Sequence, residues 1–187
     1  MTIHEGQLVI ADNFVPLSIC RRILHEISQG TWVPSPSARQ TTDSRLPGRS
    51  SSSLVVEPAH PALRQIERSL AATFDLKPNR FEPWQVARYQ RGESYDYHVD
   101  AGCWRNHPSG ERKRTILIYL EQPARGGATD FRALHKRVRP IAGRLLLWDN
   151  LFANGKCNYA MIHSGRPVWQ GRKTILTTWE RERRFVP

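Results

Sequence analysis

The chain has 187 residues, 39% of them hydrophobic and 24% charged, with a formal net charge of +11. That length buries roughly 70% of the unfolded surface, enough to keep a site away from water, while no apolar run reaches the ~18 residues that cross a bilayer. An isoelectric point near 10.3 favours an acidic partner, whether nucleic acid, acidic protein surface or anionic small molecule, but the basic clusters ERKR, KRVR and RERR lie far apart and form no tail.

The opening MTIHEGQLVIADNF has no basic stretch ahead of an apolar core, so a cytoplasmic location and no membrane association are expected. After the apolar run LVIA, Leu17, Cys20, Ile23, Leu24 and Ile27 recur at helical spacing behind Pro16, which predicts an amphipathic helix over 16–29. A second helix is predicted from His60-Pro61, with Leu63, Ile66, Leu70 and Phe74 on one face and an end before Lys77-Pro78. Between them TTDSRLPGRSSSS reads as an exposed loop. From Phe81 onward the segments FEPWQVARY, YHVDA, RTILIYLE, HKRVRPI, RLLLWDN, YAMIHSG and KTILTTWE, parted by turns such as ARGGA, PIAG and WQGR, predict many short strands. The expected class is mainly β with N-terminal helices, as a small sandwich or jelly roll. A single domain over 1–187 is expected, with its core at about 81–182 and helical support in 1–80. Cys20, Cys103 and Cys157, odd in number and without CxxC spacing, are expected as free thiols.

YDYHVDAG places His98 and Asp100 two positions apart, so that in an extended strand both side chains share a face while Val99 packs behind. Neutral imidazole and carboxylate with open positions suit Fe(II), and a third ligand must come from elsewhere; His163 in MIHSG follows an apolar stretch and precedes a turn. HxD alone is common by chance. Its value here lies in the order HVD, later histidine, and a lysine ten residues beyond that histidine. For His4, His25, His60, His107 and His135, surface placement is the expectation.

With those residues in place, the chain from about Arg88 to Glu182 resembles the prolyl-4-hydroxylase type of Fe(II)/2-oxoglutarate-dependent dioxygenases, whose motif string is met by ARY, GESYDYHVD, IYL, GGATDF, AGRLLLWDN, MIHSG and GRKTILTTW. Upstream, GRSSSS resembles the arginine–serine loop of those enzymes. The resemblance implies a double-stranded β-helix, a distorted jelly roll. It makes His98, Asp100 and His163 the metal-binding and catalytic triad, and Lys173 the cation for the distal carboxylate of 2-oxoglutarate. Tyr119 would add a hydroxyl to that carboxylate and Tyr89 would stand near the cosubstrate. Arg172 competes with Lys173, but counting back from Trp179 puts Lys173, Ile175 and Thr177 on its face and Arg172 on the other. Fe(II), 2-oxoglutarate, O2 and ascorbate as reductant are the implied cofactors.

The implied reaction is hydroxylation of an unactivated C–H bond; related halogenases lack the carboxylate that Asp100 supplies. A prolyl residue in a protein or peptide is the first expectation for the substrate, which the basic charge would let be acidic, and a free amino acid or small biosynthetic intermediate is the next. Arg49, Arg112 and Trp148 are the candidate substrate contacts, and Trp104 a candidate cavity residue. Tyr95 is left as pocket wall or core. A nucleic-acid demethylase would explain the charge but uses arginine where Lys173 stands, and a cupin-like metal or 2-oxoglutarate sensor would bind without turnover.

Overall fold

The computed structural model describes residues 1–4, 8–35, 48–56 and 60–187. In chain order the elements are β1 (Thr2–His4), β2 (Leu8–Ala11), α1 (Leu17–Glu26), β3 (Val33–Pro34), β4 (Ser52–Val55), α2 (Pro61–Phe74), β5 (Gln85–Tyr89), β6 (Tyr95–His98), β7 (Arg112–Glu121), β8 (Arg125–Gly126), β9 (Thr129–Phe131), β10 (Lys136–Val138), β11 (Leu145–Asp149), β12 (His163–Gly165), β13 (Val168–Gln170) and β14 (Lys173–Arg181). An eight-stranded sheet runs β1-β2-β11-β7-β14-β5-β4-β3, and a four-stranded sheet runs β10-β9-β12-β6. Pairings within both sheets are antiparallel. The chain therefore adopts the jelly-roll arrangement expected of it.

Period-two alternation explains the layering. On the large sheet, Val86, Ile116, Ile118, Leu145, Leu147 and Leu176 face α1 and α2 and pack with Cys20, Ile23, Leu63, Ile66 and Leu70. The alternate residues Ala87, Tyr89, Leu117, Tyr119, Leu146, Trp148 and Ile175 turn inward and meet Phe131, Val138, Met161 and Val168. Because helices cover one face and the small sheet the other, β7 and β14 are buried along most of their length on both faces.

The helix signals are legible locally. Pro61 occupies the first turn of α2, the His60 side chain accepts from Ala62 N, and Asp75 ends the helix in the left-handed region at φ 51°. His60 is thus no surface histidine: it caps α2 and reaches Glu26 of α1. Trp84 donates to Glu67 at 2.9 Å and ties α2 to the sheet. The first predicted helix ends sooner than its periodicity suggests, with 27–29 tightened into a 3-10 turn.

Two loop and strand expectations change. Of TTDSRLPGRSSSS, residues 41–47 lie outside the described residues, while its last serines enter β4, where Ser52 and Ser53 pair with Arg88 and Ala87. Backbone pairing there outweighs the turn preference of serine. YAMIHSG is not one strand: 159–161 form a 3-10 turn capped by Asn158, and β12 begins at His163. The three cysteines are free thiols.

Candidate active site

His98 ends β6, and Asp100 stands beyond it in a bend, outside the strand in which it was expected. Val99 accordingly lines the cavity and does not pack behind it. Opposite β6, β12 pairs His163 with His98 and Gly165 with Tyr95, so three steps on one strand match two on the other. This bulge puts Tyr95 and His98 on one face, although strict alternation would part them. Their rings stack with centroids 3.7 Å apart, which settles Tyr95 as a cavity wall. His163 comes from the sheet centre, between Phe131 and His98 in register.

The ligating atoms of His98, Asp100 and His163 lie within 4.8 Å of one another. Each imidazole is oriented by a carbonyl: His98 Nδ1 meets Asp96 O at 2.8 Å and His163 Nδ1 meets Met161 O at 2.9 Å. A carbonyl only accepts, so Nδ1 carries the proton and the Nε2 lone pair is left facing Asp100. The Nε2 atoms stand 3.7 Å and 3.9 Å from the two carboxylate oxygens, too far for hydrogen bonds. Two imidazole lone pairs and a carboxylate around such a gap are the donor set for a divalent first-row ion with positions left open.

Asp100 is held from behind. Thr115 donates to its Oδ2 at 2.7 Å, and Asn150 Nδ2 donates to Thr115 Oγ1 at 2.8 Å. Burial works to raise this carboxyl's pKa, but the two imidazoles, Arg112 and the Thr115 hydroxyl outweigh it and keep the group ionised. Burial first, and then His163, push the His98 imidazole down to about 3, so that it is neutral and needs no deprotonation to ligate. Trp148 lies edge-on against His163 at 4.8 Å and also lines the cavity, so it holds a triad ring in place as well as bounding the open space.

The cavity, about 540 Å³, runs from the triad to Lys173. Lys173, Ile175, Thr177 and Trp179 all face it, whereas Arg172 forks onto Glu121 at 2.8 Å and 2.9 Å outside. Lys173 is 2% exposed, with no carboxylate partner among the described residues. Its Nζ lies 4.2 Å from the centroid of the Tyr89 ring, a cation–π contact with the strand neighbour paired to it. Burial, with Arg49 adding to it, lowers its pKa to about 7. A Cβ on Gly165 would sit 3.4 Å from Nζ and 3.6 Å from Tyr95 Cβ, so the glycine leaves free the space where an acceptor oxygen meets the ammonium. A buried, unpaired cation beside such a space fits the distal carboxylate of a dicarboxylic acid.

Tyr119 stands behind Thr129 on the inner face of β7. It is fully buried and does not line the cavity; its hydroxyl bonds Thr129 Oγ1 at 2.6 Å, and Thr129 is the group that faces the open space. The threonine of GGATDF on β9 was the available signal for this residue.

At the other end Arg112 lines the cavity, but its guanidinium forks onto Glu82 at 2.7 Å and 2.8 Å. Arg181 meets the same carboxylate at 2.7 Å. Arg112 also stacks on Trp179 at 3.6 Å and faces Trp104 at 4.7 Å. Its guanidinium is thus already engaged by a carboxylate that it shares with Arg181. Nothing local in the sequence joins Glu82 to an arginine thirty residues on.

Comparison with known proteins meets this geometry. The model of the 2OG-Fe(II) oxygenase superfamily matches residues 84–181, which contain the triad and Lys173. A candidate prolyl 4-hydroxylase of Acanthamoeba polyphaga mimivirus is 28% identical over 184 residues, 94% of this chain and 74% of that protein. Prolyl 4-hydroxylase subunit alpha-2 of Caenorhabditis elegans is 32% identical over 129 residues, 66% of this chain but only 24% of the subunit. The 2OG-bound collagen prolyl hydroxylase of Paramecium bursaria Chlorella virus-1 superposes with TM-score 0.77 at 26% identity, covering 95% of this chain and 97% of the viral one. With more than half its length in the family match, and with one cavity joining a metal-type donor set to an unpaired lysine, the chain belongs to the 2OG-Fe(II) oxygenase superfamily.

Proposed function

We propose that this protein hydroxylates prolyl residues in a peptide or protein, with His98, Asp100 and His163 holding Fe(II), Lys173 holding the distal carboxylate of 2-oxoglutarate, and ascorbate as external reductant. The observation that carries the reading is the pairing, in one cavity, of three convergent ligand atoms with a buried ammonium that has no counter-charge among the described residues. Iron and 2-oxoglutarate, when bound, would activate O2, one oxygen atom entering the C–H bond as C–OH and the other ending in succinate as the oxo acid loses CO2.

The protein residues contribute placement. Neutral His98 and ionised Asp100 offer ligand atoms without proton loss. The Thr129 hydroxyl, fixed by Tyr119, lines the same cavity as Lys173 and would be a second donor to the distal carboxylate, and Tyr89 supports the ammonium from its ring face. Trp104, Trp179 and Arg112, which is stacked on both rings and held by Glu82, form an aromatic wall of the cavity. Such a wall suits a compact uncharged ring such as proline, and aromatic faces there shed water from the reacting carbon. The names of the mimivirus and Caenorhabditis relatives, and the viral enzyme superposed on the chain, support a prolyl substrate.

The test is anaerobic mixing with Fe(II) and 2-oxoglutarate, which is expected to give a visible metal-to-ligand charge-transfer band. His163→Ala should abolish the band, and a band that persists undiminished in that variant would refute the ligand assignment. Proline peptides incubated in air should then gain one oxygen atom, read by mass spectrometry.

A further inference from the structure

We propose that Arg49 receives a carboxylate of the substrate, so that the peptide taken by this site carries an acidic residue or a free chain end beside the target proline. The inference rests on the assignment of the triad to iron and of Lys173 to 2-oxoglutarate, and it names the kind of peptide that completes the same cavity.

Arg49 is set in place by backbone pairing. Asp96 N donates to Gly48 O at 3.0 Å, Ser50 N to Ser94 O at 3.2 Å, and Gly48 N to the Asp96 carboxylate at 3.0 Å. Arg49 thereby bridges to Tyr95, and its guanidinium carbon lies 4.8 Å from the centroid of that ring, which is itself stacked on His98. Arg49 Nε donates to Ser51 Oγ at 2.8 Å, and Ser51 donates on to Ser35 Oγ at 2.8 Å. This relay fixes the side chain through Nε, no partner for the terminal amino groups stands among the described residues, and Arg49 lines the cavity.

Charge balance then points to what arrives. Arg112 and Arg181 share the Glu82 carboxylate, and Glu111 acts on Arg181 as the second counter-charge. A ferrous ion on two neutral imidazoles and one carboxylate, together with the Lys173 ammonium, carries two positive charges, which the doubly negative 2-oxoglutarate cancels. Arg49 has no carboxylate partner among the described residues, so one positive charge is left over on a part-buried wall. A guanidinium fork in partly excluded solvent binds carboxylate through two parallel charge-assisted hydrogen bonds. The excess of 28 basic over 17 acidic residues draws an acidic peptide toward the same site from a distance. Arg49 also acts electrostatically on Lys173, second to burial, so its field reaches the cosubstrate end; the experiment must separate the two roles.

Proline peptides of equal length with Glu, Gln or Lys beside the proline, the Gln peptide with free or amidated C-terminus, are titrated calorimetrically onto protein loaded with Mn(II) and 2-oxoglutarate. The Glu peptide is expected to bind about tenfold more tightly than the Gln peptide, and the Lys peptide more weakly still. A gain confined to the free C-terminus identifies the chain end as the carboxylate source. In Arg49→Glu the order should invert while the thermal midpoint and the 2-oxoglutarate affinity stay near those of the unchanged protein. Equal binding of all peptides, or a preference for Glu that survives the charge reversal, overturns the assignment, as does a variant that loses 2-oxoglutarate instead. Protein that takes up neither Mn(II) nor 2-oxoglutarate sinks the site reading and this inference together; loaded protein indifferent to peptide charge sinks only the inference.

Discussion

Lys173 concentrates the physics of the site in one side chain. Burial costs its ammonium the solvation that water supplies, and the Arg49 charge adds to the penalty, so its pKa falls from 10.5 to about 7. In the unliganded protein the folded pKa lies below the unfolded one. The unfolded chain therefore binds more protons between those values, and stability rises with pH from about 7 to about 10.5; below 7 the cost of the buried charge is fully present. A bound carboxylate reverses the preference by favouring the ammonium. Above pH 7 cosubstrate binding must then take up a proton, and the dissociation constant of 2-oxoglutarate should rise toward tenfold per pH unit while staying level below 7. Calorimetry near pH 8 in two buffers of unlike ionisation enthalpy should register that uptake. Lys173→Met should bind weakly with the pH slope gone, and a slope that survives in this variant assigns the proton elsewhere.

At the scale of elements, β14 divides its residues between two tasks. Leu176 is wholly buried against the helices, while Lys173, Ile175 and Thr177 face the cavity. Leu176→Ala is expected to cost about 2–5 kcal/mol in urea unfolding, through lost transfer energy and the hole left behind, with Mn(II) affinity in the folded state preserved. A loss of metal binding in step with stability would show that the two faces are not separable. This two-facedness was legible in KTILTTWE by alternation alone, and so were both helices, because apolar spacing and the prolines mark them locally. That His98, Asp100 and His163 would converge, with Lys173 in the same cavity, was legible through motif order. What escaped the sequence was non-local: the β6 bulge depends on pairing with β12, and the Glu82–Arg112 fork on strands brought together by the fold. The contact of Tyr119 with Thr129, on another strand, was likewise not legible locally.

At the scale of the whole molecule, the cavity lies between the two sheets, drawing His98, His163, Thr129 and Gly165 from the small sheet and Lys173, Tyr89 and Thr115 from the large one. Ligands that touch both sheets bind only the folded state and stabilise it by mass action, about 2.7 kcal/mol at a concentration a hundred times the dissociation constant. On the proposed assignment Mn(II) would join His98 and His163 of one sheet to the bend carrying Asp100, which the large sheet holds through Thr115. 2-Oxoglutarate would extend the bridge to β14 through Lys173. Thermal unfolding should therefore show two additive increments, one from Mn(II) alone and a further one when 2-oxoglutarate is added. Lys173→Met should keep the first and lose most of the second, whereas His163→Ala should lose both, since the oxo acid needs the metal to hold its other end. A 2-oxoglutarate increment of full size without metal would mean that the dicarboxylate is held by cations alone, and that the triad and Lys173 do not act on one ligand.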